Sequence, residues 1–254
     1  MAEISQQQSV FLFSSENLQY APNDYFSPEF WQRKNRILGE AKGRGTTYFL
    51  DSSAEFGVDC ALRHYYRGGL FGKFVRDRFL FWGVKNSRSF AEFQLLQKLH
   101  LANLPVPKPI AARVKKGALG ICYQADLLCE RIPNAQDLTA ILQEKSLSVE
   151  IWRQIGALIR QLHDLQVCHH DLNAHNILVQ NVNDNPRCYL IDFDKCGEKP
   201  GDKWKKNNLS RLKRSFLKEK TRLSILFSEE DWAQLLIGYQ SLAKNKESYF
   251  ANVS

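Results

Sequence analysis

The sequence predicts an α+β fold, strand-rich to residue 130 and helix-rich from 131 onward. Three observations predict it. β-branched and aromatic runs broken by glycine turns occupy much of the stretch from Ile37 to Glu130. Apolar residues recur at helical spacing after Asp137. Between the two lies Arg131-Ile-Pro133-Asn134, which interrupts both patterns. Strands gathered first and helices second give an α+β chain rather than a βαβ alternation. The expected division is 1–130, an N-terminal arm with a β-rich lobe, and 131–254, a helical lobe.

In chain order, residues 1–30 are polar and aromatic with Pro22 and Pro28, and read as an irregular arm packed onto the domain. Ile37–Tyr66 reads as strands around the glycine-rich turn Gly39–Gly45, with Cys60–Tyr66 the second strand and Gly68-Gly69 after it. Phe90, Phe93, Leu95, Leu96 and Leu99 place a helix over 89–99. Pro105, Pro107 and Pro109 alternate, so 104–110 is extended. Tyr123–Glu130 is a strand. Asp137–Gln143 and Glu150–His163 are helices; the second carries Ile151, Ile155, Leu158, Ile159 and Leu162 on one stripe, with Ser148 as N-cap. Ile177–Val179 and Cys188–Ile191 are strands joined by the turn-rich Asn181–Pro186. From 203 the chain reads as helices with a basic face.

Composition narrows the function classes. With 254 residues and 44% hydrophobic content, the chain can bury a sizeable core. Its 24% charged residues are ordinary for a globular protein and exclude a disordered chain. A net charge of +8 and a pI near 9.2 call for an anionic partner: nucleotide, phosphorylated substrate, nucleic acid or acidic membrane. Six scattered cysteines without C-x-x-C spacing read as reduced thiols. The N-terminus lacks signal-peptide character and no apolar run approaches a membrane span, so any membrane contact is expected to be peripheral.

The most informative stretch is Leu162 to Val179, which ends a helix, crosses a polar loop and enters a strand. Its core, His169-x-Asp171-x-x-x-x-Asn176, is followed by Leu190-Ile-Asp192-Phe-Asp194. The pattern resembles the catalytic loop and metal-binding aspartate of the protein-kinase-like superfamily, whose bilobal fold it implies. Phosphoryl transfer needs a carboxylate to accept the proton of the attacking hydroxyl, the role of Asp171. It also needs oxygen ligands for Mg2+, the roles of Asn176 and Asp192. His169 is expected to buttress the loop. A zinc site from His169, His170 and His175 is the competing chemistry, and no familiar ligand spacing completes it. Asp194 replaces the glycine of D-F-G, as in small-molecule and atypical branches, and there is no A-P-E.

Candidate ATP-binding residues are less regular. Gly43 and Gly45 read equally as the end of a phosphate-covering glycine loop or as a plain hairpin turn. Ala61 and Arg63 fall where the superfamily has A-x-K, with arginine replacing lysine and Glu92 the expected partner; an ordinary surface arginine and helix glutamate is the alternative.

Two stretches are strongly basic. Between 61 and 91 lie Arg63, Arg67, Lys73, Arg76, Arg78, Lys85 and Arg88, interleaved with Phe71, Phe74, Phe79, Leu80, Phe81 and Trp82. Between 203 and 222 lie nine Lys or Arg and one acid, with Trp204, Leu209, Leu212 and Phe216 at roughly helical spacing. Read as exposed, these residues make amphipathic surfaces for an anionic amphiphile or membrane; no nucleic-acid module accompanies them, so no nucleic acid is expected. Leu62–Lys73, Ser89–Leu96, His169–Leu178 and Leu190–Gly197 resemble the 3-deoxy-D-manno-octulosonic acid (Kdo) kinases of Gram-negative bacteria. The resemblance implies transfer of the ATP γ-phosphate to the 4-hydroxyl of Kdo on a lipid A precursor. It also implies a peripheral protein on the cytoplasmic face of the inner membrane, working in lipopolysaccharide core synthesis. A heptose kinase, an atypical serine kinase and a nucleotide-binding pseudokinase scaffold are the alternatives.

Overall fold

The computed structural model describes residues 1–6, 8–14, 23–43, 45–67 and 77–251, with residue 2 and residues 242–251 described by backbone alone. The chain forms two compact units, residues 1–98 with 107–131 and residues 99–106 with 132–254. The stretch 99–106, counted with the first lobe in the sequence-based division, belongs with the second unit.

The first unit is built on an antiparallel sheet. Its strands are β1 (Ala2–Gln6), β2 (Ser9–Phe13), β3 (Ile37–Lys42), β4 (Thr46–Leu50), β5 (Cys60–His64), β6 (Phe79–Leu80), β7 (Pro109–Lys116) and β8 (Cys122–Glu130). They lie in the order β1-β2-β7-β8-β5-β4-β3, with β6 pairing β8 as well. Three helices complete the unit's sequence: α1 (Pro28–Arg33), α2 (Ser53–Phe56) and α3 (Arg88–Leu101). Ser27 caps α1 by accepting from the Phe30 N–H, and Pro28 fills the first helical position, where a missing N–H costs nothing.

The N-terminal segment corrects the expectation of an irregular arm. β1 and β2 form a hairpin, and β2 is hydrogen-bonded to β7 with Phe11 opposite Arg113. The reason is local: Val10-Phe11-Leu12-Phe13 is a continuous apolar run, the mark of a strand covered on both faces. Phe11 and Phe13 are fully buried and pack with Phe26, Trp31, Leu50, Leu62, Ile110 and Leu128. Each such aromatic contributes about 1.5–3 kcal/mol by leaving water. Without the hairpin this cluster would lose one wall.

In the second unit, β9 (Ala135–Asp137) leads into α4 (Leu138–Glu144), and α5 (Val149–Asp164) follows. Asp137 caps α4 by accepting from the N–H groups of Thr139 and Ala140, and Ser148 caps α5 through the Ile151 N–H. Next come β10 (Val167–Cys168), β11 (Ile177–Gln180), β12 (Arg187–Leu190), β13 (Gly197–Glu198), α6 (Lys205–Leu223) and α7 (Glu229–Ala251). β11 pairs with both β12 and β9, and β10 pairs with β13. α5 is the central helix. One side of it carries Trp152, which packs edge-on against Phe216 and tilted against Phe227. Against α7 the approach is backbone to backbone: a Cβ on Gly156 would lie 1.9 Å from the Leu235 carbonyl oxygen, and one on Gly238 2.0 Å from that of Arg153. Only glycine permits this packing at those two positions.

Candidate active site

In the second unit, the segment from His169 to Asp192 is held by a buried polar network. His169 is fully buried, and its Nε2 lies 3.0 Å from the Ile191 carbonyl oxygen, so that nitrogen carries the proton and donates. Burial holds the ring below the usual histidine pKa, which keeps it neutral. The ring also packs on Phe193, with centroids 4.8 Å apart. The His169 carbonyl accepts from Asn208 Nδ2 at 2.8 Å. Asn208 Oδ1 accepts from His163 Nε2 at 3.0 Å, and His163 Nδ1 accepts from the Tyr239 hydroxyl at 2.8 Å. A chain of hydrogen bonds thus runs from α7 through α5 and α6 to the segment that precedes Asp192.

The loop itself closes on two asparagines. Asn173 Oδ1 accepts from the N–H groups of His175 and Asn176, an Asx turn that fixes the loop's exit. Asn173 Nδ2 and Asn176 Nδ2 both donate to the Asp171 carbonyl, at 3.0 and 2.9 Å. The Ala174 N–H donates to Ser215 Oγ on α6. β11 then pairs with β12, Ile177 opposite Leu190, and the Ile191 N–H donates to the Asn176 carbonyl at 3.1 Å. Asp192 follows directly, in the left-handed region at φ 61°, which aspartate tolerates better than most residues. Phe193 is fully buried, and the Cys196 N–H donates to its carbonyl to close the next turn. Asp171, Asn176 and Asp192 therefore gather at one end of the β11–β12 hairpin.

The donor set fits a hard cation. Asn176 commits its amide nitrogen to Asp171, which leaves its amide oxygen as an acceptor beside the Asp192 segment. Among the described residues no group of three or more His, Cys, Asp or Glu side chains could hold a metal ion, which removes a zinc site on His169, His170 and His175. The Asp171 carboxylate receives Arg211 Nη2 on Oδ1 at 2.5 Å.

The first unit carries the remaining candidates. Arg63 on β5 forms an ion pair with Glu92 on α3, and Glu92 is buried. Tyr65 joins the pair: its hydroxyl donates to Glu92 Oε2 at 2.5 Å and accepts from Arg63 Nη2 at 3.1 Å. Burial, then the Glu92 charge, pushes the Tyr65 phenol well above its usual pKa. Ala61 lies opposite Phe49 and Cys129 in the sheet. Gly43 and Gly45 bound the β3–β4 turn, where the Gly43 N–H donates to the Gly45 carbonyl. Gly45 has a steric reason to be glycine: a Cβ there would lie 2.1 Å from the Tyr66 ring.

The basic stretches require correction. Trp204, Leu212 and Phe216 are buried, not exposed; they belong to the core around His163, Trp152 and Phe227. α6 is amphipathic because it packs on the second unit. Arg88 is also no free surface charge, because it stacks over Tyr65 and Phe79 and is held below the usual arginine pKa by burial. Arg44, Gly68, Gly69, Phe71, Lys73, Phe74 and Arg76 lie outside the described residues. Among the described residues of the first stretch, the basic Arg78 and Lys85 and the apolar Leu80 and Trp82 stay exposed, Trp82 being 77% accessible. They are joined by Leu119 and Ile121 of the β7–β8 turn, where the Phe81 N–H donates to the Ile121 carbonyl. Lys116 sits over the Phe81 ring.

Sequence reasoning missed Tyr65, Asn173, Asn208 and Arg211. Asn173 was visible as an Asx residue immediately before the short turn Ala174–Asn176. Arg211 carried no local signal, since it is one of nine like charges between 203 and 222 and its partner Asp171 lies 40 positions away.

Comparison with known proteins adds the following. The model of the family described as "Lipopolysaccharide kinase (Kdo/WaaP) family" matches residues 28–239. The chain is 59% identical over 239 residues to the 3-deoxy-D-manno-octulosonic acid kinase of Haemophilus influenzae strain PittEE, covering 94% of this chain and 99% of that protein. It is 53% identical over 241 residues to the protein of the same name from Pasteurella multocida strain Pm70, covering 95% and 100%. The solved structure of "WaaP in complex with acyl carrier protein" superposes with a TM-score of 0.56 over 95% of both chains at 14% identity, a likeness of fold alone. The α+β, protein-kinase-like fold expected from the sequence is the fold found.

Proposed function

Because the chain belongs to the lipopolysaccharide kinase (Kdo/WaaP) family, we propose that it transfers the ATP γ-phosphate to the 4-hydroxyl of a Kdo residue on a lipid A precursor. Kinase activity in lipopolysaccharide synthesis follows from that membership. The observation that carries it is the gathering of Asp171, Asn176 and Asp192 through the Asp171 carbonyl, the Asn176 amide and the Ile191 N–H.

In this reading the acceptor oxygen forms a bond to the γ-phosphorus, and the bond from that phosphorus to the β–γ bridging oxygen breaks, releasing ADP. Asp171 takes the hydroxyl proton on Oδ2, since Oδ1 is held by Arg211. Asn176 and Asp192 would hold Mg2+, which when bound would supply charge neutralisation on the phosphate oxygens. His169 acts through position only: neutral and buried, it fixes the carbonyl preceding Asp192. In the first unit, Arg63 binds phosphate oxygens and is oriented by Glu92 and Tyr65, with Ala61, Gly43 and Gly45 lining the nucleotide's path.

No helix among the described residues is long and apolar enough to cross a membrane. The proposed contact with the cytoplasmic face of the inner membrane is peripheral, through Leu80, Trp82, Leu119 and Ile121 with Lys85 and Lys116 nearby. The test is an acceptor panel with labelled ATP, magnesium and purified protein: Kdo-bearing lipid A precursor, heptose-bearing lipopolysaccharide and a protein acceptor. The expected product is phosphate on the Kdo 4-hydroxyl, located by NMR. Transfer only to heptose or protein would overturn the proposal.

A further inference from the structure

Beside the proposed base, the second unit carries a groove of two adjoining cavities, of about 240 and 450 Å3, which share Lys199, Trp204 and Asn207 as walls. The smaller is bounded by His170, Lys199, Arg211 and Arg214, with no Asp or Glu in its lining. Arg211 is ion-paired with Asp171 at its edge, while neither Lys199 nor Arg214 has a carboxylate partner among the described residues. Three permanent like charges turned toward one concavity repel one another, and an anion seated among them relieves that repulsion.

We propose that this smaller cavity seats the carboxylate of the acceptor sugar, with Lys199 and Arg214 as its binding residues and Arg211 as the link to Asp171. The inference rests on the reading above that the acceptor is a sugar acid. Three observations favour the acceptor over the nucleotide as the source of the anion. Arg211 donates one N–H to Asp171 Oδ1, and a guanidinium has others to give. The group that Arg211 holds with those others therefore belongs to the molecule whose hydroxyl meets Asp171. The volume, below the roughly 300–1,000 Å3 of pockets that enclose a whole drug-sized ligand, suits a single sugar head with its acyl chains left outside. Finally, the larger cavity adds Pro200, Gly201, Asp202 and Lys203 to the shared walls and lacks Arg211, so it extends the groove and gives the rest of the acceptor a path.

The geometry separates two jobs. Arg211 positions both the base and the acid group, so its loss confounds binding with catalysis. Lys199 and Arg214 are exposed and form no ion pair with Asp171, so they report on the seat alone. The experiment measures steady-state kinetics of Lys199→Met, Arg214→Met and the double variant. Substrates are the Kdo-bearing lipid A precursor, the same acceptor with its carboxylate reduced to an alcohol, and a dephosphorylated acceptor. Each single variant is expected to raise the acceptor KM about tenfold, and the double variant about a hundredfold, as befits lost charge-assisted hydrogen bonds. The ATP KM should stay as it is, and kcat should move far less than the acceptor KM. With the carboxyl-reduced acceptor the wild type should already show the raised KM, and the variants should add nothing. Urea unfolding midpoints matching wild type establish that the variants fold. An unchanged acceptor KM in the double variant overturns the seat. A KM increase that vanishes on the dephosphorylated acceptor instead makes the anion a phosphate and overturns the carboxylate. Absence of any transfer to the Kdo acceptor by the wild type removes the underlying function, a result distinguishable from failure of the seat.

Discussion

His163 offers a direct measure of how the core supports the active-site loop. The side chain is fully buried on α5, donating to Asn208, accepting from Tyr239 and packed edge-on against Trp204. Burial lowers its pKa from 6.5 to about 4, against a smaller opposing effect of the Asn208 hydrogen bond. Because the folded value is depressed, the unfolded chain takes up the proton first as pH falls below 6.5, and stability drains away toward pH 4. Between about pH 7.5 and pH 4.5 the loss from this one residue is about 2.5 kcal/mol. His163→Gln keeps a donor for Asn208 and an acceptor for Tyr239 but cannot titrate. It should lose about 1 kcal/mol at pH 7.5 through imperfect geometry. Its stability difference between the two pH values should then be smaller than wild type's by about 2–3 kcal/mol. Urea unfolding at both pH values and constant ionic strength reads this, with equal m-values confirming that the same transition is compared. A variant that keeps the full wild-type pH difference would refute the assignment, as would an NMR titration of His163 near pH 6.5.

Asp171→Ala should lower phosphate transfer by at least about a hundredfold while equilibrium ATP binding persists, since the carboxylate is proposed to act on the acceptor. Near-wild-type turnover would remove the base assignment. Gly156→Ala places a methyl 1.9 Å from the Leu235 carbonyl oxygen and 2.7 Å from the Tyr239 nitrogen, both backbone atoms, and should destabilise by about 3 kcal/mol or prevent folding. A thermal midpoint within a degree of wild type would show that α7 yields freely. Trp82→Ala with Lys85→Gln and Lys116→Gln should weaken binding to anionic phospholipid vesicles and flatten its salt dependence in a flotation assay. Unchanged flotation would assign those residues to solubility alone.

Much of the candidate site was legible because it is local. Asp171 and Asn176 lie within six residues, and the hairpin that brings Asp192 back is announced by its turn-rich connection. The α5 stripe and its Ser148 cap were legible for the same reason. What was not legible depends on distant partners. Trp204, Leu212 and Phe216 have a spacing that serves a membrane face as well as a core face; only Trp152, Phe227 and His163, brought in by other elements, decide for the core. The β2 strand was overlooked because its four apolar residues sit between polar flanks, and its burial comes from β7, a hundred residues further on. Arg63 and Glu92 are readable as strand followed by helix, whereas Tyr65 at their junction is not, because its role appears only once α3 is in place.

The network around His163 connects these scales. Gly156 and Gly238 let α7 approach α5 closely enough for the Tyr239 hydroxyl to reach His163. His163 then turns Asn208 so that its amide nitrogen faces the His169 carbonyl, and His169 fixes the Ile191 carbonyl one residue before Asp192. Each link is a neutral hydrogen bond between buried or half-buried groups, and an unmade one would cost about 1–3 kcal/mol. The links therefore favour a single arrangement of the loop. This is also why the two histidines must remain uncharged. A proton on His163 Nδ1 would leave it facing Tyr239 with two donors and no acceptor between them unless the hydroxyl rotated away, and the disturbance would pass along the chain toward Asp192. Acid should accordingly impair the metal binding proposed for Asn176 and Asp192 above the pH of global unfolding, and His163→Gln should move that loss to lower pH.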